Sequence, residues 1–114
     1  MVSEEELKRE YNLVEGFESY QPITEEGKRR LKNFEEFYNK NKEYFGKKIL
    51  DLACGGGIFS NFLASIGHYV VGVDILDDML NIAKKYAPSK ENPKYIKANI
   101  LNFVPEENLI LQCL

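Results

Sequence analysis

Ile49-Leu50-Asp51-Leu52-Ala53-Cys54-Gly55-Gly56-Gly57 is the stretch whose reading decides the fold. Ile49 to Leu52 is a short apolar run, and it leads straight into three glycines. Phe59, Phe62, Leu63 and Ile66 then recur at i, i+3, i+4 and i+7, one face of an amphipathic helix. The unit is strand, glycine turn, helix. In an open parallel sheet such a turn lies at the carboxyl end of its strand, where ligands bind. Glycines there carry no Cβ to block a ligand and permit positive φ. The first helical N–H groups add the positive end of the helix dipole.

Working outward, Tyr69-Val70-Val71-Gly72-Val73-Asp74 is a second buried run that ends in a carboxylate. It falls about 20 residues past the glycine turn, the spacing of the acid that receives ribose hydroxyls in nucleotide-binding βαβ units. Gly67 stands where a helix C′ glycine belongs, and His68 reads as a solvated loop residue. Asp77 is placed to cap the next helix, with Met79, Ile82, Ala83 and Tyr86 as its apolar positions and Pro88 at its end. Tyr95-Ile96-Lys97-Ala98 reads as a third strand, and Leu109-Ile110-Leu111-Gln112-Cys113-Leu114 as a fourth. The order β-α-β-α-β-β predicts an α/β domain with a mainly parallel sheet.

Towards the N-terminus, Ser3 and Glu6 form a capping-box pattern, with Leu7, Tyr11 and Val14 at helical spacing, so a helix is predicted over 4–14. A connector carrying Phe17 and Tyr20 follows, with packing or a lid as alternatives for its aromatics. Thr24 is placed to cap a second helix with Leu31, Phe34 and Phe37/Tyr38 on its apolar face and Gly46 as its terminator. The organisation read here is a helical cover over 1–46 and a ligand-binding unit over 47–114.

The 114 residues suffice for one domain with a modest core. A net charge of −3 argues against binding nucleic acid by phosphate neutralisation. No apolar run reaches membrane-spanning length, and the acidic N-terminus is unlike a signal peptide. Two cysteines make no disulfide framework, so a reduced, cytoplasmic setting is expected. Cys54 is read as a small buried filler rather than a nucleophile. No metal-ligating cluster is read.

Asp51-Leu52-Ala53-Cys54-Gly55-Gly56-Gly57 resembles the first motif of class I S-adenosylmethionine-dependent methyltransferases. Val73-Asp74-Ile75-Leu76-Asp77-Asp78-Met79-Leu80 resembles the second, and Tyr95 to Phe103 the third, over a span from about Gly46 to Phe103. The resemblance implies a Rossmann-like sheet and S-adenosylmethionine as cofactor. It implies that Asp51 lies beside the methionine end of the cofactor and braces the turn. Ala53, Gly55 and Gly57 would let the backbone approach it. Asp74 would accept the ribose hydroxyls, and Ile75 and Met79 would pack on the adenine. Asn99, followed by Ile100, stands where the family usually has an aspartate facing the adenine amino group; its amide oxygen accepts without charge assistance. Leu76 replaces a frequent serine.

The family sheet has seven strands and this chain supplies four, so a fold truncated after about the fourth strand is expected. Both crossovers would put their helices on one face, leaving the other bare and predicting a homodimer or completion by another chain. A small-molecule methyl acceptor is the partner the resemblance implies, with no acceptor or catalytic residue legible. Two alternatives stand beside this: a non-catalytic cofactor-binding module, and a nicotinamide-dinucleotide domain. Gly55-x-Gly57-x-x-Ser60 approaches the dinucleotide fingerprint, but the third glycine is absent and Asp51 would oppose a pyrophosphate.

Overall fold

The computed structural model describes residues 3–5 and 18–104, and 110–112 as backbone. Apart from Glu4 and Glu5, which are helical, the helix expected over 4–14 lies outside the described residues, as does Phe17.

Helix α1 spans Glu25–Asn41. Thr24 caps it as its sequence predicts: the Thr24 hydroxyl accepts from Gly27 N at 3.0 Å, and Glu25 and Glu26 complement the dipole. Gly46 does not end it. The helix stops at Asn41, whose amide donates to the Phe37 carbonyl at 2.8 Å, and a 3₁₀ turn over Lys42–Tyr44 finishes the descent. A side chain that takes a carbonyl from the last turn competes with helix continuation. Strand β1 is Lys48–Leu52, helix α2 Ile58–Ser65, strand β2 Tyr69–Asp74, helix α3 Asp77–Lys85, strand β3 Lys94–Lys97 and strand β4 Ile110–Gln112.

The four strands lie in the order β3-β2-β1-β4, every pair parallel. Side chains alternate across the sheet. The register pair Ile49 and Val70 faces one layer, where both are fully buried with Phe34 of α1 and Leu63 of α2. Phe34 stacks on Phe59 at 4.3 Å between ring centroids and meets Phe62 edge-on at 5.9 Å, which fixes α1 against α2. Gly67 behaves as a C′ glycine: at φ 106° it lets Gly67 N reach the Ala64 carbonyl and His68 N the Leu63 carbonyl.

The next register pair, Leu50 and Val71, faces the opposite layer. This face is not bare, contrary to the sequence-based expectation. Leu50, Val71 and Val73 are buried, with Ile96, Ala98 and Phe103 packed against them. His68 also differs from its reading as a solvated residue. It is half-buried, with Nε2 at 2.6 Å from the Tyr38 hydroxyl and Nδ1 at 2.7 Å from the Gly46 carbonyl oxygen, so it pins α1 to the entry of β1.

Candidate functional site

The carboxyl ends of β1, β2 and β3 lie side by side, and the residues singled out in the sequence sit there. The turn after β1 takes three left-handed residues, Ala53 at φ 58°, Gly55 at φ 58° and Gly57 at φ 77°. It is held from β2: Cys54 N donates to the Val73 carbonyl at 2.9 Å, and Gly55 N to Asp74 Oδ2 at 2.9 Å. The other oxygen of Asp74 accepts from Leu76 N at 3.0 Å. One carboxylate thus braces the glycine turn and the entry of α3 together. Asp74, not Asp77, supplies this support. The N-cap of α3 is Leu76, with no side-chain cap bond, and Asp77 is already in the first turn, ion-paired with Lys97 at 2.8 Å. An acid closing the preceding strand reaches the same N–H groups from below.

Asp51 is 2 % exposed and accepts a hydrogen bond from the Ser60 hydroxyl at 2.5 Å. Burial, with a smaller push from the nearby charge of Asp74, raises its pKa to about 6 against the lowering effect of the Ser60 hydrogen bond. Among the described residues neither carboxylate has a basic side chain in ion-pair contact. Burial pushes the Cys54 thiol strongly up, and the charges of Asp51 and Asp74 add to this, so it stays protonated and is a poor nucleophile.

The three glycines are glycine for different reasons. Among the described residues a Cβ on Gly55 would meet only the Met79 methyl, at 3.2 Å, so Met79, Gly55 and Asp74 share one corner of the site. A Cβ on Gly56 would lie 2.9 Å from Gln21 Nε2. A Cβ on Gly57 would run into the Tyr95 hydroxyl and come within 2.7 Å of Ala83 Cβ. Gly57 is buried, and its smallness serves the packing of α2 against α3 and β3. Ala53 is exposed on the turn, and Ile75 and Met79 are half-buried. Asn99 lies just past β3, its Oδ1 accepting from Leu101 N at 3.0 Å, and Ile100 is 43 % exposed. Ala98 N donates to the Asp74 carbonyl at 3.1 Å, which ties this third segment to the site.

Three contributors were not read from the sequence. Ser60 and Asn61 are buried polar residues in the first turn of α2, and Tyr95 donates to Asn61 Oδ1 at 2.6 Å. Ser60 sits three residues before the fully buried Leu63, a spacing that marks it as inward-facing. Gln21, 1 % exposed, donates from Nε2 to the Gly56 carbonyl at 2.8 Å from outside the βαβ unit, with no sequence pattern to announce it.

The sequence profile of the family described as "Methyltransferase domain" matches residues 49–110, more than half of the chain. The chain belongs to this methyltransferase family. The class I S-adenosylmethionine-dependent type inferred from the three motifs is borne out. The domain is 38 % identical over 69 residues to a ubiquinone biosynthesis O-methyltransferase of Glaesserella parasuis, a match covering 60 % of this chain and 29 % of that protein. It is 41 % identical over 58 residues to the mitochondrial ubiquinone biosynthesis O-methyltransferase of Schizosaccharomyces pombe, covering 51 % of this chain and 21 % of the relative. The chain thus spans less than a third of the length of these curated relatives. Among solved structures, the PH0226 protein of Pyrococcus horikoshii aligns with a TM-score of 0.67 and 36 % identity, over 89 % of this methyltransferase domain and 42 % of that chain. Magnesium protoporphyrin IX methyltransferase of Synechocystis, solved with bound S-adenosylmethionine, aligns with a TM-score of 0.60 over 91 % of this chain and 58 % of its own, at 16 % identity, a likeness of fold alone. Among the described residues no helix is long and apolar enough to cross a membrane, and no group of His, Cys, Asp and Glu could hold a metal ion.

Proposed function

We propose that the chain binds S-adenosylmethionine at the carboxyl edge of its sheet and serves methyl transfer to a small-molecule acceptor. The observation that carries this is the pair of buried carboxylates, Asp51 and Asp74, beneath a glycine turn with no basic residue in contact among the described residues. Burial, with a smaller push from the charge of Asp74, raises the Asp51 pKa to about 6; a cationic ligand favours its ionised form, whereas a pyrophosphate would oppose it. When bound, S-adenosylmethionine supplies a methyl group on a sulfonium that is already an activated leaving group.

The chain's own residues then bind, orient and exclude water. Asp51 sets a negative charge under the turn for the cofactor's positively charged end. The fit at Asp74 needs one adjustment to the sequence reading. Both of its oxygens already accept a backbone N–H, so the ribose hydroxyls would use their remaining lone pairs. Met79, beside Gly55, and Ile75 would offer apolar contact to the adenine, and Asn99 and Ile100, just past β3, would face it. Alignment against an activated donor can supply most of the acceleration, and a hydroxyl acceptor would pass its proton to solvent or to a base outside these residues as the methyl group is transferred and the thioether leaves. The names of the curated relatives support a small-molecule hydroxyl as acceptor.

Substitution separates the assigned roles. Asp74→Ala removes a charged acceptor whose bonds are each worth about 1.5–3 kcal/mol, and Asn99→Ala a neutral one worth about 1 kcal/mol. Asp74→Ala should weaken S-adenosylmethionine binding at least about tenfold, and Asn99→Ala less. Equal, small losses by calorimetry would contradict the assignment.

A further inference from the structure

The segment from Glu18 to Thr24 touches the glycine turn from outside the family-matched region. Glu18 accepts from Lys85 Nζ at 2.6 Å and from the Tyr86 hydroxyl at 2.8 Å, which fastens the segment to the end of α3. Gln21 N donates to the Glu18 carbonyl at 3.0 Å, and the Gln21 carbonyl accepts from Ile23 N at 2.7 Å. Thr24 bonds the Ser19 carbonyl and caps α1. Gly27, on the first turn of α1, sits so close to the Gln21 carbonyl that any Cβ there would overlap it. The segment is therefore a strap fixed at both ends, and Gln21 is the side chain it drives into the interior.

We propose that Gln21 is a positioning residue for the cofactor turn. This inference rests on the methyltransferase reading above. Gln21 Nε2 holds the Gly56 carbonyl at 2.8 Å, while the N–H of the same peptide, on Gly57, donates to the Cys54 carbonyl at 3.1 Å. That peptide is gripped at both ends. Its orientation sets Gly57 at φ 77° and with it the direction of the first N–H groups of α2. Three consecutive glycines have more backbone freedom than any other tripeptide. A turn that must meet a ligand loses affinity in proportion to the freedom it gives up on binding, so a grip made beforehand raises affinity. Asp74 grips the turn at Gly55, and Gln21 grips it one residue later from the other side. Gly56 has no side chain because the Gln21 amide occupies that place.

The test uses S-adenosylhomocysteine as the probe, titrated calorimetrically into the whole chain well below its melting temperature. Gln21→Met keeps length and apolar packing and removes the donor. It should weaken binding roughly fivefold, the fold-change of one neutral hydrogen bond. Gln21→Glu supplies a second readout. Its carboxyl donates to the Gly56 carbonyl only when protonated, so the ratio of its Kd to the wild-type Kd should rise with pH between about 5 and 8. Loosened packing alone gives no such dependence, and this ratio decides the matter if Gln21→Met does not fold. Wild-type binding with Gln21→Met within twofold, or with a flat Gln21→Glu ratio, overturns the role of Gln21 alone. A wild-type chain that does not bind overturns the methyltransferase reading and this inference with it.

Discussion

Asp51 keeps its proton at a pH where a solvated aspartate has lost it. Its pKa lies at 3.8 unperturbed and at about 6 in the fold, so between those values the folded chain binds more protons than the unfolded one. Stability from this group is fully present below the lower value and is lost as pH rises through about 6. The displacement corresponds to about 3 kcal/mol, as an order of magnitude. Asp51→Asn keeps an acceptor for Ser60 and removes the charge. It should raise the melting temperature at about pH 8 and flatten the decline between about pH 4 and 6; an unchanged pH profile would show that Asp51 is solvated. Ligand binding should run the opposite way. A cation favours the ionised carboxylate, so cofactor affinity should climb as pH rises through about 6. Asp74 was legible because it ends an apolar run at a strand's carboxyl edge, and Asp51 because it opens the glycine motif. Gln21 was not, since no periodicity links a loop residue to a turn 35 positions away.

At the scale of elements, the glycine turn was read correctly as a turn, but its glycines do different work. Gly57 combines positive φ with contact to Tyr95 and Ala83, whereas Gly67 combines positive φ with open space. Gly57→Ala should therefore cost about 2–4 kcal/mol, from strain and overpacking together, and Gly67→Ala about 1 kcal/mol, from conformation alone. Thermal melts of the two variants check the order; equal losses would show that the Tyr95 slot yields. Element existence followed from apolar periodicity, which survives in a bare sequence. Caps did not follow as well, because they depend on which side chain reaches a terminus through space. Thr24 caps from its own loop, but the entry of α3 is served by Asp74 from the preceding strand.

At the scale of the molecule, the four parallel strands bury side chains on both faces. The first face was predictable from two crossovers running the same way. The second was misread as bare: Phe103, in a segment without periodic pattern, packs there with Ile96 and Ala98. Leu50, Val71 and Val73 are buried on that second face. The open parallel sheet concentrates charge and backbone freedom at one edge, and the central claim is that this edge receives a sulfonium cofactor. Parallel calorimetric titrations of the chain with S-adenosylmethionine and with NAD test it most directly. The account predicts saturable binding of S-adenosylmethionine and none of NAD; saturable binding of NAD without S-adenosylmethionine binding would contradict it.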